Sequence, residues 1–190
     1  MQKKTMTIVG VGLLTAIVVV LQALAVGIRF GIFNITLVLI PIIVGAALYG
    51  VWAGAWLGFV FGVVVLLTDA GAFLAISVPG TIVTCVGKGV AAGIVCGALY
   101  KVLEKINTTV AVFVAAIAAP VTNTGCFLIG CKLFFYETIA LWAEGAGFAS
   151  VGKFMIFGLV GTNFLVEAAI NIILATAIVR LIAIGKKHFA

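Results

Sequence analysis

Long apolar runs, broken only by a few polar residues at a time, constrain this chain more than any other feature. Six can be drawn: about Met6 to Val26, Ile35 to Tyr49, Val51 to Leu67, Val78 to Leu103, Thr109 to Phe135 and Phe154 to Ile184. Hydrocarbon offers no partner to a backbone N–H or C=O, so a chain crossing a bilayer must be helical or a closed barrel. The period-2 alternation of a barrel is absent. A helix of about 20 apolar residues crosses the hydrocarbon core. The expectation is an all-α integral membrane protein with six transmembrane helices in one bundle, a single domain over residues 1–190. Gly50 is the only obvious punctuation between the second and third runs.

Composition narrows the function. Of 190 residues, 65% are hydrophobic and 8% charged, whereas soluble domains are about half apolar and a quarter charged. That excludes a soluble enzyme, a disordered segment and a nucleic-acid-binding domain, in spite of the net charge of +6. In so apolar a chain the cations act instead to orient it. With a cytoplasmic N-terminus, that side holds Lys3, Lys4, Lys101, Lys105, Arg180, Lys186 and Lys187, and the opposite side Arg29, Lys132 and Lys153. This excess places both termini in the cytoplasm of a multi-pass cell-membrane protein. Lys3-Lys4 before an apolar run also suits a signal peptide, but the run is long enough to span and its loss would weaken the charge bias. Cys85, Cys96, Cys126 and Cys131 lack metal-ligand spacing and read as small buried hydrophobes, with no metal site expected.

Small residues and prolines give the packing. Gly50, Gly54, Gly58 and Gly62 recur every four residues, as do Gly89, Gly93 and Gly97. Each ladder puts a smooth stripe on one helix face, which predicts close helix–helix packing, or else a docking face for a partner. Pro41 and Pro120 should kink or restart their helices, and Pro79-Gly80 marks the start of the fourth.

The polar residues at membrane depth are the candidate site. A charge at the bilayer centre costs about 2.5–3.5 kcal/mol on insertion scales, so each one needs a reason. Lys88 lies about ten residues into the fourth run; snorkelling competes with a cavity role. Thr122, Asn123 and Thr124 follow Pro120, either as a clamp between helices or as ligand contacts. Asn163, Glu167 and Asn171 are spaced i, i+4, i+8 and share one face of the sixth helix. Glu167 is as well suited to pair with Lys88 as to touch a ligand. Asn34 and Arg29 lie near the outer ends. The segment from about Tyr136 to Gly152 reads as a long loop, suited to a lid or an interfacial element. One cation amid amides, hydroxyls and apolar walls has the composition of a small-molecule site, and favours a ligand with a carboxylate or several oxygens. No phosphate-binding loop, nucleophile elbow or zinc-protease motif is present, so ATP hydrolysis and the common catalytic constellations are excluded and no cofactor is expected.

The stretch Ile35-Thr36-Leu37-Val38-Leu39-Ile40-Pro41-Ile42-Ile43-Val44-Gly45-Ala46-Ala47-Leu48-Tyr49-Gly50, followed by Ala53-Gly54-Ala55-Trp56-Leu57-Gly58-Phe59-Val60-Phe61-Gly62, resembles the substrate-binding S components of energy-coupling-factor (ECF) vitamin transporters. Size and span number agree. The resemblance implies a subunit that is not an enzyme. It would bind a vitamin from outside and dock on an ECF membrane subunit carried by two ATPases, toppling in the bilayer to release its cargo. The family's docking pair on the first helix would correspond to Gly12 and Ala16. The segment Pro120-Val121-Thr122-Asn123-Thr124-Gly125 and the basic residue in the fourth helix are most similar to pantothenate-type S components, which implies ligand contacts at Lys88 and Asn123. Here Lys supplies a point charge in place of a bidentate fork. Cobalamin, folate, riboflavin and pyridoxine types share the scaffold. A small membrane enzyme using Lys88 with Glu167, and a ligand-free structural subunit, are the rival readings.

Overall fold

The computed structural model describes residues 2–25, 29–30, 33–34 and 37–189. The chain is an all-α membrane protein. Its helices are α1 (Gln2–Ala25), α2 (Leu39–Tyr49), α3 (Val51–Thr68), α4 (Gly71–Leu74), α5 (Val78–Leu103), α6 (Thr108–Phe134), α7 (Tyr136–Gly145), α8 (Val151–Lys153) and α9 (Gly161–Phe189), with a π-helical stretch Phe154–Val160 leading into α9. Between α1 and α2 two short strands, β1 (Arg29–Phe30) and β2 (Phe33–Asn34), pair antiparallel, with Arg29 opposite Asn34. All six expected runs form helix. Among the described residues five helices, α1, α3, α5, α6 and α9, are long and apolar enough to cross a membrane. The second run is shorter than expected: α2 starts at Leu39 and has 11 residues, a rise of about 16 Å.

Local sequence explains where the helices begin. Gly50 ends α2 and starts α3 with φ of 96°, a left-handed backbone that glycine adopts without a Cβ penalty. Ser77 caps α5, its hydroxyl accepting from the Gly80 N–H at 3.2 Å. Asn107 caps α6 through the Thr109 and Val110 amides. Pro41 lies in the first turn of α2, where its missing N–H has no partner to lose, so it restarts the helix without kinking it. Pro120 does not break its helix: α6 runs through it without interruption, so the expected restart there is corrected.

The glycine ladders are an internal seam. A Cβ on Gly54 would lie 2.6 Å from the Gly93 carbonyl oxygen, and one on Gly62 would lie 2.5 Å from that of Cys85. Gly58 and Gly89 meet each other's carbonyls in the same way. The backbones of α3 and α5 therefore touch directly along their length. The packing reading of the ladders holds, and the docking reading does not.

Two apolar clusters stack along the bundle. One joins α1, α2, α3, α5, α6 and α9 around Leu39, Ile42, Leu57 and Ile178. The other gathers Phe127, Phe135, Ile139, Phe154 and Leu159. The segment expected to be a loop near Tyr136 is mostly the helix α7. Its Ile139 and Ala143, four residues apart, are buried against this second cluster, while Glu137 and Glu144 are exposed. α7 is thus an amphipathic helix that packs on α6 and α8. At the other end Glu104, just beyond α5, pairs with Lys186 of α9. Lys101, Lys105, Lys186 and Lys187 therefore share one end, and Lys132, in the last turn of α6, lies at the opposite one.

Candidate functional site

A cavity of about 70 Å³ opens where α5, α6 and α9 meet, lined by Lys88, Asn123, Thr124, Phe127, Leu159, Val160, Asn163, Phe164 and Glu167. Four of the expected site residues, Lys88, Asn123, Asn163 and Glu167, thus come together from three helices. Lys88 is placed by its neighbour: Gly89 locks α5 onto Gly58 of α3, which fixes the rotation of α5 and turns Lys88 towards α6. Its ammonium lies 5.3 Å from the centre of the Phe127 ring and 5.7 Å from that of Phe61. Cation–π contact with two rings lowers the cost of a charge at this depth.

Asn123 is 7% exposed, and its Oδ1 has no hydrogen-bond partner among the described residues. The Oδ1 of Asn163 is buried in the same condition. An unpaired buried acceptor costs about 1–3 kcal/mol, so both of these side chains, which border the cavity, carry an unmet demand for a donor. Asn163 and Glu167 reach it together because α9 presents them one turn apart. Asn171, the next residue on that face, is 1% exposed and outside the lining; its Nδ2 donates to the Glu167 carbonyl at 2.8 Å, so it braces α9. Thr122 is half-buried on α6 and does not line the cavity, whereas its neighbour Thr124 does. Asn34 sits in β2 opposite Arg29, but its side chain lies outside the described residues.

Phe127 and Phe164 complete the walls. Among 14 phenylalanines nothing in the sequence singles them out. Gln22 of α1, 1% exposed with an unpartnered Oε1, is a further buried amide; its signal was the same as that of Asn123, an amide inside an apolar run. Towards α7, Phe127 continues into a group of aromatic rings. Phe73 of α4 meets Phe127 edge-on at 5.7 Å and Trp142 of α7 at 5.9 Å. The wall on the α9 side is the π-helical stretch, a widened turn often found at functional sites.

The model of the family described as ECF transporter, substrate-specific component, matches residues 4–183. The chain belongs to that family. No match was found among curated proteins or among solved structures. As an ECF substrate-specific component, the S component, it is a transport subunit, with a small-molecule substrate and the ECF module as partners. Gly12 and Ala16 lie exposed on α1, and a Cβ on Gly12 would meet nothing within 4 Å. Beside them Thr15 accepts a hydrogen bond from the Trp56 indole at 3.1 Å.

Proposed function

We propose that this S component binds a small, water-soluble vitamin bearing a carboxylate, with pantothenate favoured over the cobalamin, folate, riboflavin and pyridoxine alternatives. The observation that carries the reading is the convergence of one ammonium, Lys88, with two amides whose Oδ1 atoms lack a partner, Asn123 and Asn163, around one cavity. Such a set calls for one anionic group and several N–H or O–H donors. Pantothenate offers a carboxylate, one amide N–H and two hydroxyls. Lys88 would meet the carboxylate, and Asn123, Thr124 and Asn163 the polar groups nearest to it. Thr122 and Asn171, which do not line the cavity, contribute support from α6 and α9.

In this reading the exposed Gly12–Ala16 face of α1 docks on the ECF membrane subunit, and two ATPases supply the energy. The cation-rich end with Lys101, Lys105, Lys186 and Lys187 faces the cytoplasm of the cell membrane. Mass spectrometry of what co-purifies with the protein tests the ligand. A vitamin is the expected result, and replacing Lys88 with Ala should weaken its binding about 10- to 150-fold, the value of a charge-assisted hydrogen bond. Unchanged affinity would remove Lys88 from the site, and stabilisation by no vitamin in the panel would remove the binding function itself.

A further inference from the structure

We propose that the groove between α6 and residues 156–165 is the second half of the substrate site, and that it takes the apolar portion of an amphipathic carboxylate whose charged end lies at Lys88. The inference rests on the reading of Lys88 as the carboxylate partner.

Volume is the first argument. The polar cavity holds about 70 Å³, room for a few waters, whereas small-molecule pockets hold about 300–1,000 Å³. A groove of about 490 Å³ adjoins it, and the two share Thr124, Val160 and Phe164 as a common wall. Together they reach the size of a ligand pocket.

Chemistry is the second. Away from the shared wall the groove is lined by Val121, Leu128, Ile156 and Leu165, and it opens on the lipid-facing side, where Val121, Ile156 and Leu165 are exposed. Its space comes from absent side chains: a Cβ on Gly125 would meet nothing within 4 Å. A bilayer acyl chain would fill the groove, but it brings no polar group to the shared wall, where Thr124 lies and beyond which Lys88, Asn123 and Asn163 line the polar cavity. A molecule with a polar head and an apolar remainder satisfies both halves at once.

The test uses the full chain in nanodiscs of phosphatidylcholine and phosphatidylglycerol, titrated calorimetrically with nicotinate, pantothenate and lipoate. Lipoate joins a carboxylate to an apolar chain and ring; nicotinate is compact. Lipoate should bind at least about tenfold more tightly than nicotinate. Gly125→Leu, which builds into open space, should weaken lipoate about tenfold or more and leave nicotinate within about twofold. Val121→Trp, filling the groove from its exposed side, should do the same, and Lys88→Ala should weaken all three. Lipoate affinity that falls in Lys88→Ala but is untouched by both groove variants overturns the inference. So does binding of pantothenate or nicotinate without lipoate, which leaves the carboxylate reading intact. A change confined to the number of phospholipids retained in native mass spectrometry assigns the groove to lipid and overturns it as well. If no carboxylate binds the wild-type protein, the reading of Lys88 fails and the inference falls with it.

Discussion

Replacing Gly54 with Ala should loosen the seam that holds Lys88 in place. The new Cβ would stand 2.6 Å from the Gly93 carbonyl oxygen and 2.8 Å from the Ala46 Cβ, where ordinary contact begins at 3.4 Å. The nearer obstacle is backbone, so no rotamer change relieves it; α3 and α5 must part by about 0.8 Å. Overpacking of this kind costs about 1–3 kcal/mol, and in a chain of this size each kcal/mol lowers Tm by about 2–4 °C. The expected drop is about 2–12 °C in a thermal unfolding scan of the detergent-solubilised protein. Because α5 also carries Lys88, ligand affinity should fall with stability. Gly12→Ala is the control: its Cβ meets nothing within 4 Å, and Tm should not fall. A Gly54→Ala protein as stable as the wild type would refute direct backbone contact between α3 and α5.

Ser77→Ala removes the acceptor that caps α5 at 3.2 Å from the Gly80 N–H; a loss of about 1 kcal/mol, read as a Tm lower by about 2–4 °C, should leave ligand specificity unchanged. Lys186→Ala breaks the ion pair with Glu104, whose partners are 45% and 30% exposed, so the cost should stay within about 1 kcal/mol and shrink further in high salt. Asn123→Leu replaces a buried, unpartnered acceptor with an apolar group of similar size. It should raise the ligand-free Tm while weakening vitamin binding about tenfold or more in calorimetry; a lower Tm would mean that Asn123 is a structural clamp.

What could be read in advance follows from which features are periodic. Gly54, Gly58 and Gly62 against Gly89 and Gly93 were legible because a four-residue repeat of missing side chains has only one geometric meaning, a smooth helix face. Lys88, Asn123, Asn163 and Glu167 were legible because a polar group in hydrocarbon is costly wherever it sits. Their meeting in one cavity depends on the rotation of α5, α6 and α9, which no local pattern encodes. At Pro120 the helix does not restart, because loss of one N–H perturbs a single hydrogen bond and α6 continues through it. The α7 segment has too few buried positions, Ile139 and Ala143, to stand out from a loop. The groove was invisible because it consists of space beside Gly125, and a sequence does not show what surrounds an absent side chain.

The two sides of the site differ in how they are held. On the α5 side, Lys88 is followed by Gly89, which sits backbone to backbone against Gly58, so the cation is fixed by contacts that cannot yield without separating two helices. On the α9 side, the wall passes through the π-helical turn Phe154–Val160, and beside it Gly125 faces open space. In the proposed reading a tight seam carries the charge that would meet a carboxylate, and a widened helical turn bounds the space for the rest of the ligand. Specificity for the remainder of the substrate should therefore respond to substitutions around Gly125 and Ile156, and affinity for its anionic end to substitutions along the Gly58–Gly89 seam. A variant panel in which the seam altered ligand preference and the groove altered only overall affinity would reverse that assignment.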